Sequence, residues 1–391
     1  MVSDFFVYLR PMLEKIILFP YFLTLTIRHA LYDKGIWKVA PTEKPSICIG
    51  NIAVGGTGKT PHTEMVLKTL LRSDDWAYKN IAVLSRGHKR RSRSFQQVPR
   101  GGSAAFYGDE PLQIKNNFPA VTVAVDRNRV EGCGFLFHPE TLNTVKAGHK
   151  CLDKDFPPAD IVVLDDAYQY RNLHYNYNIV LTDYYRPVNK DNLLPFGHLR
   201  DLPSRLCFAE TIIVTKCPAW MEDWEKTQFT KTLGIRDYDL KTFKGVNRRG
   251  KTQLVLFTSI SHGEIKPVYE EADRHYLYSK KLILFSGIAQ DTPLRNFLSD
   301  KYEIVRRFKF PDHHKFTRLD IRSIMRAVSE HPTAVVVTTE KDSQRLMDYK
   351  NMPKELKDRL FQIPIRVNFL SGEEQDAFEK DLFKTLGRPE D

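Results

Sequence analysis

The chain has 391 residues, 42% of them hydrophobic and 27% charged, proportions that exclude wholesale disorder and a multi-span membrane protein. That length suits two domains, because single cores stop growing at about 250 to 300 residues. The net charge of +11 favours anionic partners, and five cysteines without a Cys-x-x-Cys pair read as reduced cytosolic thiols.

The amino terminus resembles neither a cleavable signal nor a membrane span. Its apolar run from Ile16 to Ile27 is interrupted by Pro20 and falls short of the about 20 residues that cross a bilayer. Phe5, Phe6, Tyr8, Leu9, Leu13, Ile16, Ile17, Phe19 and Phe22 are flanked by Arg10, Lys15, Arg28, Lys34 and Lys38. Such a mixture suits an amphipathic helix in a membrane interface, or a helix packed on the protein's own core.

Ser46 to Gly50 is a short apolar run that suits a buried strand. Val54-Gly55-Gly56-Thr57-Gly58-Lys59-Thr60 follows it, and a helical pattern begins near Thr63. This is a phosphate cradle: backbone N–H groups face a polyphosphate, Lys59 reaches the outer phosphates, and the Thr60 hydroxyl suits Mg²⁺. The usual leading glycine is replaced by Ala53.

A strand at Asn80 to Leu84 breaks at Ser85-Arg86-Gly87, and four cations follow within His88 to Arg93. They could grip phosphates or form a solvated loop. Gly108-Asp109-Glu110-Pro111 is an acidic turn ahead of a helix near Leu112, and the strand Val121 to Val125 ends in Asp126-Arg127. Ile161 to Leu164 is a buried-strand run delivering Asp165 and Asp166, the pattern that holds Mg²⁺ beside a P-loop. Strands at Asn178–Leu181 and Thr211–Val214 follow; the second ends in Thr215-Lys216-Cys217-Pro218. Guanine readers place an aspartate at that last position, so ATP is the expected nucleotide.

Alternating βα units from Ser46 to about Lys216 predict an α/β fold, a P-loop NTPase-like, mostly parallel sheet with helices on both faces. The expected division is a membrane-interface segment over 1–40, a P-loop domain over 41–240 and a smaller α/β domain over 241–391. Strands at Gln253–Phe257, Lys281–Phe285, Glu303–Phe308 and Ala334–Val337, and a helix from Asp320 to about Ser329, belong to the last.

The ordered motifs resemble one family, tetraacyldisaccharide 4′-kinase, the lipid A 4′-kinase of Gram-negative bacteria. They are G-N-I-A-V-G-G-T-G-K-T-P at Gly50–Pro61, S-R-G at Ser85–Gly87, G-D-E-P at Gly108–Pro111, D-R at Asp126–Arg127 and D-D-A-Y-Q-Y-R at Asp165–Arg171. L-L-P-F-G-H-L-R at Leu193–Arg200, F-P-D-H-H at Phe310–His314 and T-T-E-K-D at Thr338–Asp342 complete the set. The family's loop normally lacks the leading glycine, which accounts for Ala53. The chain departs from the family pattern at Ala167, Tyr168, Tyr170, His88-Lys89-Arg90 and Asp201.

The resemblance implies transfer of the ATP γ-phosphoryl group to the 4′-hydroxyl of an acylated glucosamine disaccharide 1-phosphate, with Mg²⁺, at the cytoplasmic face of the bacterial inner membrane. It makes the amino-terminal segment a peripheral membrane contact, with no nucleic acid and no obligate protein partner. It implies Asp109 as general base paired with His313, and Lys59 on the β- and γ-phosphates. Thr60, Asp165, Asp166 and Glu110 become metal candidates, and Arg86, Lys89, Arg90, Arg127, Gln169 and Arg200 substrate contacts. Because Asp109 and His313 fall in different domains, closure of the cleft is expected to bring them together. The rival reading is a membrane-associated P-loop regulatory NTPase.

Overall fold

The computed structural model describes residues 2–144, 151–288 and 291–388, with side chains from residue 16 onward. Phe5, Phe6, Tyr8, Leu9, Arg10, Leu13 and Lys15 of the expected interfacial set therefore lie outside the described side chains.

Parallel strands form the centre of an eleven-stranded sheet. They are β1 (Ser46–Asn51), β2 (Ile81–Ser85), β3 (Thr122–Val125), β4 (Ile161–Asp165), β5 (Tyr177–Asp183), β6 (Thr211–Thr215) and β7 (Thr252–His262). Their spatial order is β7-β6-β5-β1-β4-β2-β3, with antiparallel edges at Arg236–Val246 and Gln96–Gln97. The strands read as continuous apolar runs because both faces are covered. Cys48, Leu84, Val162, Leu164 and Val214 enter one core, while Ile47, Ile49, Val83, Val163 and Ile213 enter the other. Each such aliphatic side chain contributes about 1.5–3 kcal/mol by burial.

Helix α1 (Val2–Asp33) packs against the first core through residues from Leu18 onward. Leu18, Tyr21, Leu25, His29 and Tyr32 recur at helical spacing and face the protein. Tyr21 donates to the Arg200 carbonyl, Arg28 to the Gln169 carbonyl, and the His29 ring meets Asp201. Ile16, Phe19, Leu23 and Ile27 project from the opposite side and are 42–59% exposed. The helix is apolar on both sides. Among the described residues, no helix is long and apolar enough to cross a membrane.

Helix α2 (Lys59–Arg72) follows the cradle, entered through Gly58 in a left-handed conformation, and Pro61 falls in its first turn where no backbone donor is needed. Helix α3 (Asp109–Asn117) starts at Gly108, φ +102°, whose missing side chain lets it lie against Gly87; an added Cβ would sit 3.2 Å from the Gly87 Cα.

The second sheet has five strands. Beside the short pair-forming segment Lys266–Pro267 lie β8 (Lys281–Ser286), β9 (Glu303–Lys309), β10 (Val335–Thr339) and β11 (Leu360–Ile363), in the order Lys266–Pro267, β11, β10, β8, β9. Helix α4 (Glu340–Leu346) leaves the end of β10.

The boundary expected near residue 240 needs correction. Strand β7 pairs in parallel with β6 from Leu254 to Phe257, so the first sheet continues to it. Beyond that point β7 pairs antiparallel with β12 (Ile365–Phe369), from Thr258↔Phe369 to His262↔Ile365. The chain then returns through α5 (Gly372–Leu386), whose Phe378 and Leu382 enter a core of the first sheet and whose Glu374 holds Lys226 at 2.8 Å. The second lobe is thus an insertion of about residues 265–363, joined by the β7–β12 ribbon, and the carboxyl terminus belongs to the first lobe.

Candidate active site

The cradle leaves the carboxyl end of β1, at the crevice where strand order reverses between β5 and β4. Ala53 forms an antiparallel bridge with Leu199, and the Val54 N–H donates to the His198 carbonyl at 2.7 Å. Positive φ is confined here to Gly55 and Gly58, so the position of Ala53 does not require glycine. Val54 tethers the loop to the Leu193–Arg200 segment. Asn51 donates to Thr57 at 2.6 Å, and the His62 ring bridges the Gly58 carbonyl at 2.7 Å and the Thr258 hydroxyl at 3.0 Å. Burial lowers the His62 pKa to about 4, which keeps the ring neutral.

Strand β4 delivers two different carboxylates. Asp165 is buried and accepts from Thr63 and Ser85, each at 3.3 Å. Burial, then Glu110 and Asp166, push its pKa upward. Asp166 follows in a left-handed conformation and faces cations: Lys59 Nζ lies 3.9 Å away and Arg200 binds both carboxylate oxygens. Burial opposes its charge, but Lys59 and Arg200 outweigh it and lower the pKa.

Thr60 opens α2, and Asp165, Asp166 and Glu110 bring oxygen donors to the same end of the sheet. Among the described residues no group of three side chains forms a ready-made cage. Mg²⁺ takes one or two carboxylates plus phosphate oxygens and water, and Thr60, Asp165 and Asp166 are oxygen donors of the type it uses. The acidic crowding around Asp165 is what a divalent cation would relieve.

The opposite wall is built from both lobes. His313, in a left-handed conformation, places Nδ1 3.1 Å from Asp109 Oδ2. Arg345 of α4 reaches the same oxygen through Nε at 2.9 Å and through Nη2. Burial would raise the Asp109 pKa, but the His313 hydrogen bond and the charges of Lys341 and Arg345 hold it well below the usual carboxylate range. The His88 ring lies 5.4 Å from that of His313, which brings the Arg86–Gly87 turn to the dyad. His314 turns away, meeting Asp320 at 2.9 Å and stacking on Phe310.

The dyad expected only on closure is therefore already assembled. Four further contacts span the lobes between α3 and α4: Lys341 to Glu110 at 3.1 Å, Asn116 to Gln344 at 2.6 Å, and Glu340 to both Gln113 and Asn117.

Of the expected substrate contacts, Arg86, Lys89 and Arg127 are exposed. Arg90 is not: it is buried and donates to the Ser92 hydroxyl and the Val125 and Ser94 carbonyls, bracing its own loop. Gln169 donates to the Asn51 carbonyl and Arg200 is taken by Asp166 and Asn51, so both shape the strand-tip wall. Glu110, expected at the metal, is paired with Lys341. Asp201 points to His29 and the Leu202 N–H, anchoring α1. Sequence reasoning missed Arg345 altogether, although its i,i+4 spacing from Lys341 puts both on one helical face.

Comparison with known proteins gives a consistent result. The family described as LpxK, tetraacyldisaccharide-1-P 4'-kinase, matches residues 12–386. A protein of Bacteroides thetaiotaomicron named tetraacyldisaccharide 4'-kinase is 34% identical over 377 residues, covering 93% of this chain and 90% of the relative. Proteins of the same name from Parabacteroides distasonis and Flavobacterium johnsoniae are 35% and 33% identical; they cover 92% of this chain each, and 91% and 94% of themselves. In fold the chain is similar to an "apo" form of LpxK from Aquifex aeolicus crystallised in complex with ATP. The TM-score is 0.64 at 23% identity, over 99% of this chain and 100% of that one.

Proposed function

The chain belongs to the tetraacyldisaccharide-1-P 4'-kinase family and is a kinase, and from that premise we propose how its cleft works. The γ-phosphoryl group of ATP passes to the 4′-hydroxyl of an acylated glucosamine disaccharide 1-phosphate. The observation that carries this reading is the pairing of Asp109 with His313 across the lobes, opposite a cradle whose Lys59 faces Asp166.

Phosphoryl transfer is mostly positioning and charge stabilisation. Lys59 draws charge from the outer phosphates. Thr60 with Asp165 and Asp166 would hold Mg²⁺, whose charge would help neutralise the phosphates. Asp109, ionised throughout the physiological range, accepts the proton of the attacking hydroxyl, and His313 fixes the orientation of its carboxylate. Arg86, Lys89 and Arg127 supply exposed cations for phosphates of the substrate or headgroups.

The assay is transfer of label from γ-labelled ATP, with Mg²⁺ and the detergent-dispersed disaccharide acceptor, into lipid. Label is expected in the lipid product, and Asp109→Ala or His313→Ala should lower turnover by about 10²–10⁴-fold. Near-wild-type turnover in either variant would remove that residue from the dyad. Hydrolysis without labelled lipid would favour the regulatory NTPase, which gives Asp109 and His313 no role.

The outward side of α1 lies in the membrane interface at the cytoplasmic face, where ATP is found. Its exposed Ile16, Phe19, Leu23 and Ile27 support this, continued by Ile36 and Trp37. Phe19→Glu with Leu23→Glu should weaken cosedimentation with anionic vesicles while leaving transfer to detergent-dispersed acceptor intact. Unchanged vesicle binding would end the proposal.

A further inference from the structure

We propose that Arg345 is the positioning residue of the acceptor side: it fixes the Asp109 carboxylate from the second lobe and leaves Oδ1 as the oxygen that receives the hydroxyl proton. The proposal rests on Asp109 being the base.

The T-T-E-K-D stretch, Thr338 to Asp342, leads into this device. Thr339 caps α4 by accepting the Asp342 N–H at 3.1 Å, and Asp342 is fully buried. Asp342 Oδ2 accepts the Gly287 N–H at 2.8 Å and the Thr339 hydroxyl at 2.7 Å; its Oδ1 takes Arg345 Nη1 at 2.8 Å. One end of the guanidinium is thus bolted to backbone at the strand tips of the second sheet. The other end gives Nε and Nη2 to a single oxygen of Asp109. The side chains of Arg345 and Asp109 are 9% and 8% exposed, so neither has much room to rotate.

His313 also reaches Oδ2, which is thereby saturated, whereas Oδ1 receives the Glu110 N–H at 3.0 Å. A carboxylate gripped on one oxygen presents the other in a defined direction. Only a planar fork can hold Asp342 on one side and Asp109 on the other; a lysine ammonium is a point charge on a flexible stem. The other α3–α4 contacts, Lys341 with Glu110, Gln344 with Asn116, and Glu340 with Gln113 and Asn117, keep the two helices in register around that fork.

The test uses full-length protein with γ-labelled ATP and dispersed acceptor. Arg345→Gln should lower kcat by about 10²-fold, the cost of a misplacement near 1 Å, with the KM for ATP within about twofold. Arg345→Lys should recover part of that loss, because charge is kept and the fork is not. In single-turnover measurements, Asp109→Asn with Arg345→Gln should match Asp109→Asn alone within about threefold, since residues acting as a unit are not additive. A merely structural arginine would give a further loss of about 10²-fold in that double variant, and this overturns the proposal. So does wild-type kcat in Arg345→Gln. If Asp109→Asn itself keeps wild-type turnover, the base assignment fails and this proposal with it. If Asp109→Asn is impaired and the losses add, only the role of Arg345 falls.

Discussion

The two walls of the cleft are held by different means. The nucleotide wall is local: cradle, β4 tip and the Leu193–Arg200 segment all lie in the first lobe, and backbone contacts such as Val54 to His198 and Arg200 to Ile52 tie them together. The acceptor wall has no shared sheet. It is a seam of side chains between α3 and α4, in which Asp109, Glu110, Gln113, Asn116 and Asn117 each find a partner from the second lobe. A backbone hydrogen bond of the nucleotide wall does not depend on the identity of any one side chain. A seam transmits each change to its neighbours, so the Asp109 carboxylate is held by contacts that belong to neither lobe alone.

The largest effect that separates the walls is expected from Lys59→Ala. It removes the cation facing Asp166 and the outer phosphates, so kcat should fall by about 10²–10³-fold. Nucleotide affinity should fall with it, whereas Arg345→Gln leaves the KM for ATP nearly unchanged. Titration with a fluorescent ATP analogue distinguishes the two variants. If Lys59→Ala binds nucleotide as well as the wild type does, the division into a nucleotide wall and an acceptor wall is lost.

Legibility in the sequence follows the same division. Strands β1 to β6 stand out because a parallel strand covered on both faces is a short apolar run, and each turns polar at the end where chemistry sits. Asp165, Asp166, Lys59 and Thr60 were readable for that reason. The lobe boundary was not: β7 serves one sheet with its first half and a ribbon with its second, and its partner β12 lies over a hundred residues on. Asp109 with His313 was legible only through family resemblance, since nothing local ties a turn in one lobe to a loop in the other. Arg345 is 236 positions from Asp109, and no periodicity reports a contact of that kind. Arg90, Gln169 and Arg200, which the family resemblance puts among the substrate contacts, are engaged by hydrogen bonds within the fold, and nothing in their local sequence signals those partners.

The seam also holds a buried pair of acids of its own. Glu64 of α2 and Glu340 of α4 are buried, and both accept from Gln113 and Asn117, the Glu64 bonds being 2.9 and 3.0 Å. Lys68 and Lys266 are the cations that face them. Burial, then Glu340, push the Glu64 pKa up to about 7 from an ordinary 4.5. The sign follows from proton binding. Below pH 4.5 both folded and unfolded chains carry the proton. Between 4.5 and 7 only the folded chain keeps it, so stability falls as pH rises, and above 7 the penalty is complete at about 3 kcal/mol at most. Glu64→Gln keeps an oxygen for Gln113 and Asn117 and removes the buried charge. Its thermal midpoint should match the wild type at pH 5 and exceed it by a few degrees at pH 8, with turnover little changed. A lower midpoint at pH 8 would mean that the seam needs the ionised carboxylate.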